Sequence, residues 1–483
     1  MDELMIRYAL FFSSLTLFFV SFLTKKVIVP NIARKNFPPS PPKLPIIGNL
    51  HQLGSLPHRS LRLLAQKHGP LMFHHFGSTP VLVVSSADAA RECMKTHELD
   101  FADRPRVDIV KQIFYNMKSL ISSPCGEYWR QLKTILVHQL LSYKRVQSFN
   151  VIRYEEIALQ MNKTKESSLS LSPVNLSKMF TSLTSDVFCR SAFGRKHSEN
   201  ELGKKFLMAI AEGQKMLINL SIGEFVPWLS WTNRLSGFNY RIGKVVKQMD
   251  ESLNELIQEH LDNGLKTSRG EEAKDETNRE YFLDVLLNIY NDNIAGASID
   301  MDGIKALIKD IFGAGTETTM IVLKWAMTEL LRHPKVMKVV IKETLRYHPP
   351  VGLIPREVRQ DVKIMGYDIG AGTVVIINVW AIGRDPAYWD DPEKFEPDRF
   401  FNSSVDFKGL HYQFIPFGGG RRICPGIGFA METVKLVLAN LVHKFDWELP
   451  DGAKGEDIDM SEVRALTVPR KNPLIAVATP CYF

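Results

Sequence analysis

The segment that most constrains this 483-residue chain is a glycine-rich loop carrying one cysteine, placed directly before an apolar helix. Residues 417–426 read FGGGRRICPG, and the apolar periodicity over 426–445 predicts the helix. Proline is favoured at the first helical position, so Cys424 is expected near the helix N-terminus. The helix dipole and free N–H groups there stabilise a thiolate, and the glycines let the backbone approach the sulfur.

Other interpretations of this loop fit the residues less well. A phosphate-binding loop would follow a strand and precede Gly-Lys-Ser/Thr, and neither feature is present. A zinc site would need a second cysteine or histidine at ligand spacing, and covalent haem attachment would need Cys-x-x-Cys-His. A thiolate beside backbone donors and the fixed charge of Arg422 is what an axial haem-ligand site requires. A buried structural cysteine is the alternative.

The second informative segment is AGTETT at 314–319, midway along a predicted helix over 304–332. Gly313 and Gly315 each weaken a helix interior by about 1 kcal/mol, which predicts a local widening or kink. Small residues at a helix crossing are the alternative. Ala314 and Ile311 share a helix face with Thr318, because they lie four and seven residues before it.

Composition and charge exclude several classes of protein. With 45% hydrophobic and 23% charged residues, the chain is not disordered, collagen-like or coiled-coil. The net charge of +7 is a mild surplus without the basic stripes of a nucleic-acid binder; it suits an acidic docking partner or an anionic membrane. Five scattered cysteines indicate a reducing compartment. No internal repeat is visible, so one large domain is expected.

The N-terminus has the pattern of a membrane anchor. An apolar run over 4–23 is just long enough to span a bilayer, and basic residues follow it. The positive-inside rule then leaves the rest of the chain cytosolic. A cleaved signal peptide is the alternative, but no small-residue cleavage site follows. We predict an anchor at 1–24, a basic and proline-rich hinge at 25–50, and a catalytic domain at 51–483. The hinge is a stiff spacer or, alternatively, a proline-rich ligand.

The remaining pattern predicts a mainly α protein with a minor β part. A hairpin is predicted at 71–76 and 81–85, and further strand over 362–379. Helices are predicted over 86–97, 127–141, 204–220, 240–261, 304–332 and 426–445. The serine-rich stretch 163–172 and the charged stretch 263–280 are predicted to be solvated loops.

Taken together, these motifs resemble one known family. Phe-x-x-Gly-x-Arg-x-Cys-x-Gly at 417–426 resembles the haem-binding signature of the cytochrome P450 superfamily, the haem-thiolate monooxygenases. The proline-rich hinge, FADRP at 101–105, AGTETT and Asp385-Pro386 resemble the plant microsomal A-type, closest to the plant family 71 clan. The resemblance implies the cytochrome P450 fold, with a long distal helix over haem b, the cysteine loop beneath, and one N-terminal transmembrane helix.

The resemblance also implies residue roles. Cys424 would be the axial ligand of the haem iron, Thr318 would hydrogen-bond dioxygen and relay protons, and Glu317 would supply protons from solvent. Further residues are implied to contact the cofactor: Trp129, Lys133, Arg356 and Arg422 at the propionates, with Phe417, Gly426 and Ala314. Lys133 stands where the family has arginine. A structural Glu-x-x-Arg network is implied for Glu343, Arg346 and Arg399.

Substrate and partners follow only from position and resemblance. The residues implied to line the substrate cavity are Ile109, Ile113, Phe114, Ile311, Ala314, Val351, Leu353, Leu466 and Thr467; each could equally be core. Most are apolar, so the expected substrate is a small lipophilic plant specialised metabolite, a terpenoid before a phenolic or an alkaloid. Electrons would come from NADPH through the diflavin NADPH–cytochrome P450 reductase, docked near Arg421, Lys435 and Lys444 at the endoplasmic reticulum membrane.

One departure from the family concerns length. Only fourteen residues separate Pro334 from Pro349, and they include the Glu-x-x-Arg motif. The family has a further helix here, so roughly thirty residues, about a helix-plus-loop unit, are missing near 338–341. Three hypotheses follow: an active monooxygenase, a non-catalytic or misfolded variant, and a reductase-independent isomerase or dehydratase. The intact Glu317-Thr318 pair disfavours the third.

Overall fold

The computed structural model describes residue 13 and residues 35–170, 172–196, 201–218, 221–268, 279–292, 299–333 and 340–481. The predicted anchor at 1–24, apart from Ser13, and the hinge up to residue 34 lie outside these ranges. Within them, no helix combines the length and apolar character needed to cross a bilayer.

Helices make up most of the described chain, as the sequence predicts. The α-helices are Pro57–His68, Ala87–Arg91, Asp108–Ile113, Glu127–Thr134, Tyr143–Ser148, Asn150–Leu169, Leu176–Phe193, Glu201–Ile218, Ile222–Phe225, Thr232–Leu235, Phe238–Ser268, Phe282–Asp292, Met301–Arg332, Val340–Tyr347, Val379–Ile382 and Ile427–Lys444. Wider π-turns at Glu92–Thr96 and Ile135–Leu140 extend two of them. We call Met301–Arg332 the long helix, Val340–Tyr347 the Glu-x-x-Arg helix, and residues 417–426 the cysteine loop.

The β part is small and is divided among short sheets. The strands are β1 (Leu71–Phe76), β2 (Thr79–Val84), β3 (Val174–Asn175), β4 (Leu353–Glu357), β5 (Val362–Ile364), β6 (Tyr367–Ile369), β7 (Val374–Asn378), β8 (Phe445–Glu448) and β9 (Ile475–Pro480). In the described residues they form sheets ordered β1-β2-β7-β4, β3-β9-β8 and β5-β6. β2 and β7 pair in parallel; the predicted hairpin is β1 and β2, and 362–379 contains β5 to β7.

The largest apolar cluster surrounds the middle of the long helix. Phe312 stacks on Phe193 with ring centroids 5.4 Å apart, and Phe188 meets Phe429 at 4.7 Å. Gly315 is required at this crossing, because a Cβ there would lie 2.3 Å from the ring of Phe188. The crossing joins the long helix to the helix Leu176–Phe193, whose Phe188 in turn contacts the helix that follows the cysteine loop.

Two predicted loops are wrong in whole or in part. The serine-rich stretch 163–172 is helical to Leu169, because Ser167 and Ser168 donate their hydroxyls to carbonyls of the preceding turn instead of competing with the helix. The loop predicted from 263 begins later, since the helix Phe238–Ser268 continues six residues further. The next part of that predicted loop, 269–278, lies outside the described residues.

The widening predicted near Gly313 is also wrong. The long helix is α-helical from Met301 to Arg332. Three threonine hydroxyls donate to the carbonyl one turn earlier: Thr316 to Phe312 at 2.7 Å, Thr318 to Ala314 at 2.6 Å and Thr319 to Gly315 at 2.7 Å. These bonds satisfy the hydroxyls within the helix, so the weak helix formers are accommodated without a wider turn.

Candidate haem site

The cysteine loop places backbone donors around the Cys424 sulfur. The N–H of Gly426 lies 3.3 Å from Sγ, and the Cys424 N–H donates to the carbonyl of Phe417 at 3.0 Å. The helix starts at Ile427 with Gly426 as its N-cap, so Pro425 precedes the helix rather than opening it. Burial raises the pKa of the thiol and the Gly426 N–H opposes that rise. A coordinated metal removes the proton outright.

Glycine is needed in this loop because its backbone is left-handed. Gly418 and Gly420 have φ of 73° and 64°. A Cβ at Gly420 would lie 2.1 Å from the carbonyl oxygen of Met94, so the loop could not pack there with any other residue. Phe417, at the loop's start, packs edge-on against Phe407 with centroids 5.5 Å apart. The part of the loop that precedes the sulfur is therefore fixed at two points.

Three arginines converge next to the cysteine loop. Arg422 donates to the carbonyls of Ala102, Leu120 and Ser123 at 2.8, 3.1 and 2.6 Å. Arg356, on β4, is buried and donates to the carbonyl of its neighbour Pro355, which also accepts from Arg104.

These arginines have carbonyl partners but no direct carboxylate partner among the described residues. Burial and mutual repulsion lower the pKa of Arg356 to about 9 and that of Arg104 well below its usual range. The pKa of Arg422 falls to about 10, mainly through burial. Such a cluster is costly unless an anion joins it.

Trp129 and Lys133 border the same region. The indole Nε1 of Trp129 is enclosed and has no hydrogen-bond partner in the described residues. The Arg422 guanidinium lies 4.5 Å from the indole centroid, and the Lys133 ammonium 5.2 Å. Lys133 donates to the Arg421 carbonyl at 2.6 Å; burial lowers its pKa, and the charges of Arg421 and Arg422 lower it further.

The residues present fit haem. The unpartnered indole N–H and the surplus of buried guanidinium charge match a ligand with carboxylates, as haem propionates are. A Cys424 thiolate would supply the soft anionic donor that haem iron accepts in haem-thiolate sites. The structure therefore brings Cys424, Trp129, Lys133, Arg356 and Arg422 to one region.

Arg104 is a residue of this cluster that the sequence reasoning missed. The motif FADRP indicates only a family resemblance, yet the Arg104 guanidinium faces the charges of Arg356 and Arg422. Its position directly after a buried turn containing Phe101 and Ala102 is the available signal. Sequence alone does not show that this turn returns to the cysteine loop.

The centre of the long helix carries the predicted acid–alcohol pair. Ala314 is exposed and Thr318 partly exposed, although Ile311 and Thr319 on the same helix are buried. Burial raises the pKa of Glu317, and a 2.7 Å hydrogen bond from the Thr467 hydroxyl opposes this. Glu317 is therefore poised to hold a proton more readily than an ordinary carboxyl.

The predicted structural network is assembled, with Glu343 and Arg346 fully buried and Arg399 at its partly exposed edge. Glu343 accepts from Nε and Nη2 of Arg346 at 2.7 and 2.6 Å, and from Arg399 Nε at 3.1 Å. Arg346 also donates to the carbonyls of Gly383, Pro392 and Lys394. The bidentate pair ties the Glu-x-x-Arg helix to the segment that leads toward the cysteine loop.

The predicted substrate-lining residues fall into separate groups. Ile109, Ile113 and Ile311 lie in one apolar cluster with Phe114 packed against it. Leu353 packs with the β1-β2 cluster, and Val351 is partly buried just before β4. Thr467 contacts Glu317, whereas its neighbour Leu466 is 51% exposed. Four of them thus share one large apolar cluster, and Leu466 lies at the surface.

A separate cavity of about 390 Å³ lies between the helix Asp108–Ile113 and the segment 223–242. Its lining is largely polar, with Asp108, Glu224 and Arg234 among the charged residues. None of its lining residues belongs to the cysteine loop or the long helix. The chemistry of the cysteine loop, rather than this cavity, therefore identifies the candidate site.

Comparison with known proteins agrees with this geometry. The family model for cytochrome P450 matches residues 38–340 and 336–477, which together cover most of the chain. The chain belongs to the cytochrome P450 family of haem-thiolate monooxygenases, and its cofactor is haem.

Individual relatives place it among plant enzymes. Cytochrome P450 736A117 of Prunus mume is 49% identical, over 92% of this chain and 90% of the relative. Norfluorocurarine oxidase of Strychnos is 44% identical over 98% of both chains. A solved structure of a zebra fish cytochrome P450 with abiraterone has a TM-score of 0.70 at 23% identity, covering 88% of this chain and 100% of that one. That structure shows the shared fold.

The alignments contain positions that this chain lacks. The Strychnos comparison extends over 503 positions, but 98% of 483 residues is about 473. About 30 aligned positions therefore have no counterpart here. The family model likewise matches in two stretches that overlap at 336–340 rather than in one.

Proposed function

We propose that this chain is an NADPH-reductase-dependent monooxygenase that inserts one oxygen atom of dioxygen into a small lipophilic plant specialised metabolite, typically as a hydroxylation. The observation that carries the proposal is the pairing of the Cys424 loop with an intact Glu317-Thr318 pair at the exposed centre of the long helix. When bound, haem supplies the oxidising chemistry, and the chain supplies proton delivery and orientation.

The residues of this chain have distinct proposed roles. Cys424 binds the iron, with the Gly426 N–H directed at its sulfur. The propionates are bound by the basic and indole groups described above: Arg104, Arg356, Arg422, Trp129 and Lys133. Glu317 holds a proton, and Thr318 passes it toward the substrate side by exchanging its Ala314 hydrogen bond for one outside the helix.

The substrate class rests on the lining and on the relatives. Ile109, Ile113 and Ile311 belong to one apolar cluster against which Phe114 packs, and these apolar side chains suit a lipophilic molecule. A terpenoid is the first candidate, followed by phenolics and alkaloids. The Strychnos relative is named for oxidation of norfluorocurarine, so that compound belongs in the test panel.

Partners and location complete the proposal. Arg421 is about half-exposed, and Lys435 and Lys444 are exposed on the helix after the cysteine loop. Their positive charge suits the acidic face of the diflavin reductase. The apolar run at 4–23 with its basic flank favours anchoring in the endoplasmic reticulum membrane, with the catalytic domain in the cytosol.

The first experiment is the reduced carbon-monoxide difference spectrum of the full-length chain. A thiolate-type Soret band is expected, and Cys424→Ala should abolish it together with turnover. The matched control is Cys93→Ala, a buried cysteine outside the cysteine loop. A wild-type chain without the band would refute the monooxygenase. Turnover that persists without reductase and NADPH would instead favour an isomerase or dehydratase of the same fold.

The second candidate function is a variant that does not hold cofactor because a helix before the Glu-x-x-Arg motif is missing. The two-stretch family match and the roughly thirty unmatched alignment positions support a deletion near 338–341. A splice variant, a gene-model error or a true deletion would each produce it. Residues 334–339, where the connection lies, are outside the described residues.

Other contacts favour an assembled site despite the short connection. The ring of His348, just after the Glu-x-x-Arg helix, stacks on Trp325 at 3.8 Å and lies 2.7 Å from the Glu329 carboxylate. Both partners lie in the last turns of the long helix. The two helices are therefore joined by buried side chains as well as by the connection.

A chimera separates these possibilities. The roughly thirty unmatched residues of the Prunus relative would be inserted between His333 and Val340, and haem content per chain compared with the original. Equal haem content supports an active short form. A large gain only in the chimera supports the non-catalytic variant.

A further inference from the structure

Asp310 is a buried carboxylate on the long helix, two turns before Thr318, that the proposed mechanism does not use. It is 4% exposed. Its Oδ2 accepts from the backbone N–H of Leu120 at 2.7 Å and of Ile121 at 3.3 Å. Its Oδ1 is enclosed without a hydrogen-bond partner in the described part of the chain. An enclosed carboxylate oxygen of this kind calls for an explanation.

The turn that Asp310 binds is also bound from the opposite side. Arg422, two residues before Cys424, donates to the carbonyls of Leu120 and Ser123. We call residues 119–123 the bridging turn. N–H groups of this turn face the long helix, and carbonyls of the same turn face the cysteine loop. The hydrogen bonds therefore connect the helix that carries Glu317 and Thr318 to the loop that carries the thiolate.

The charge of Asp310 acts on the arginine cluster. The described residues show no direct ion pair between it and Arg104, but it is the carboxylate that counteracts the fall in the pKa of Arg104 caused by burial and by Arg356 and Arg422. The Nε of Arg104 is likewise enclosed and unpartnered among the described residues. Asp310 and Arg104 thus each have one enclosed polar atom without a partner in the described residues, and their opposite charges influence each other.

The other groups that face Asp310 are few. Burial raises its pKa to about 7, while the N–H groups of Ile121 and Leu120, the Ser119 hydroxyl and the Arg104 charge oppose the rise. From the helix Glu127–Thr134, the Tyr128 hydroxyl also senses its charge. Among these groups around Asp310, Arg104 is the one that carries a positive charge.

We propose that Asp310 is a positioning residue for cofactor retention: its carboxylate fixes the bridging turn between the long helix and Arg422, and its negative charge favours the Arg104 guanidinium beside the haem propionates. The inference rests on the proposed haem-binding function. Under this proposal the long helix has two roles. It delivers protons through Glu317 and Thr318, and through Asp310 it helps to hold the haem propionates. The proposal also explains an enclosed carboxylate that no direct ion pair compensates among the described residues.

A purely structural role predicts a different outcome. If Asp310 only accepts from the bridging turn, an asparagine would serve nearly as well, because its side-chain oxygen is also an acceptor of the same size. If its charge matters, Asp310→Asn must weaken haem retention even where the turn remains intact. The charge effect must also vanish when Arg104 is neutral.

The test measures the rate of haem transfer from the full-length holoprotein, at low ionic strength, to excess apomyoglobin. Asp310→Asn is expected to release haem about tenfold faster, the change that one pKa unit of lost charge stabilisation would produce. In an Arg104→Gln background the same substitution should have little further effect. The matched control is Lys309→Gln, which removes a buried charge one residue away whose ammonium lies 4.0 Å from the Tyr115 ring centroid and 3.5 Å from the Ile113 carbonyl.

A pH series gives a readout that a structural role would not move. Haem release from the wild type should accelerate as pH falls through about 7, where Asp310 gains its proton. Arg104→Gln should lack this step, so the prediction can be tested even if Asp310→Asn folds poorly.

Several results would overturn the inference. These are equal release from wild type and Asp310→Asn, equal acceleration by Lys309→Gln, and an Asp310→Asn effect that persists in full beside Arg104→Gln. A wild-type chain that never holds haem would overturn the proposed function and this inference together, which distinguishes that failure from the others.

Discussion

Two groups of three charged residues lie within the core of this protein, and they are built in opposite ways. In the Glu343–Arg346–Arg399 network, each arginine contacts the same carboxylate. In the Arg104–Arg356–Arg422 cluster, the guanidiniums contact carbonyls and repel one another. Removing one partner of a buried ion pair is strongly destabilising, so a buried cation with its own carboxylate is part of the fold. A buried cation without a carboxylate is costly until an anionic ligand binds. The first group therefore has the contacts of a structural network, and the second matches the proposed role in binding the haem propionates.

The largest effect on stability is expected in the Glu343–Arg346–Arg399 network, where the protein itself supplies the carboxylate for its buried arginines. Arg346→Met should lower the free energy of unfolding by about 3–5 kcal/mol, because it removes the bidentate partner of the buried Glu343 charge and leaves only the Arg399 Nε and Glu396 N–H contacts. Urea unfolding followed by circular dichroism measures this. A loss below about 1 kcal/mol would show that the network contributes little, as exposed pairs do.

Glu317 and Thr318, the proposed proton-delivery pair, are both partly exposed at the centre of the long helix. Substituting Glu317 should therefore reduce turnover without destabilising the fold. Glu317→Gln should reduce kcat by about 10²-fold, the scale of general acid catalysis, while leaving the thiolate-type Soret band intact. Product formation per unit of that band is the measurement. Loss of the band together with turnover would mean that Glu317 is structural.

In the Arg104–Arg356–Arg422 cluster, the matched substitution should change the stability of the haem-free chain in the opposite direction from Arg346→Met. Arg356→Met removes a buried cation that lacks a carboxylate, so the haem-free chain should become more stable by about 1–4 kcal/mol. Haem retention should fall at the same time. If Arg356→Met destabilises the haem-free chain as much as Arg346→Met does, the distinction between the two clusters is wrong.

The smallest effect concerns pH. The Thr467 hydroxyl favours the ionised form of Glu317, so Thr467→Val should raise the pKa of that carboxyl further. If the protonated carboxyl is the donor, activity then survives to higher pH, and the alkaline limb of the kcat profile moves upward. A limb that moves to lower pH, or stays in place, would contradict this assignment.

Sequence reasoning works best where a local pattern carries the chemistry. The cysteine loop, the AGTETT segment and the β1-β2 hairpin can all be located from the residues alone, because glycine, proline and helix periodicity act over a few residues. The prediction for 163–172 is wrong because serine composition indicates a loop there. The hydroxyls instead bond within the helix, and burial of Thr164 and Ser168 favours order that composition does not reveal.

By itself, the sequence determined the class of protein, the place of Cys424 in its glycine-rich loop and the order of the motifs along the chain. Only the tertiary structure decided which arginines share a carboxylate and which repel, because residues more than three hundred positions apart, such as Ala102 and Arg422, are brought into contact by the fold. It alone placed Arg104 in the cluster and Asp310 behind the bridging turn. Burial sets the energy of a charge, and burial is a property of packing that no local pattern encodes.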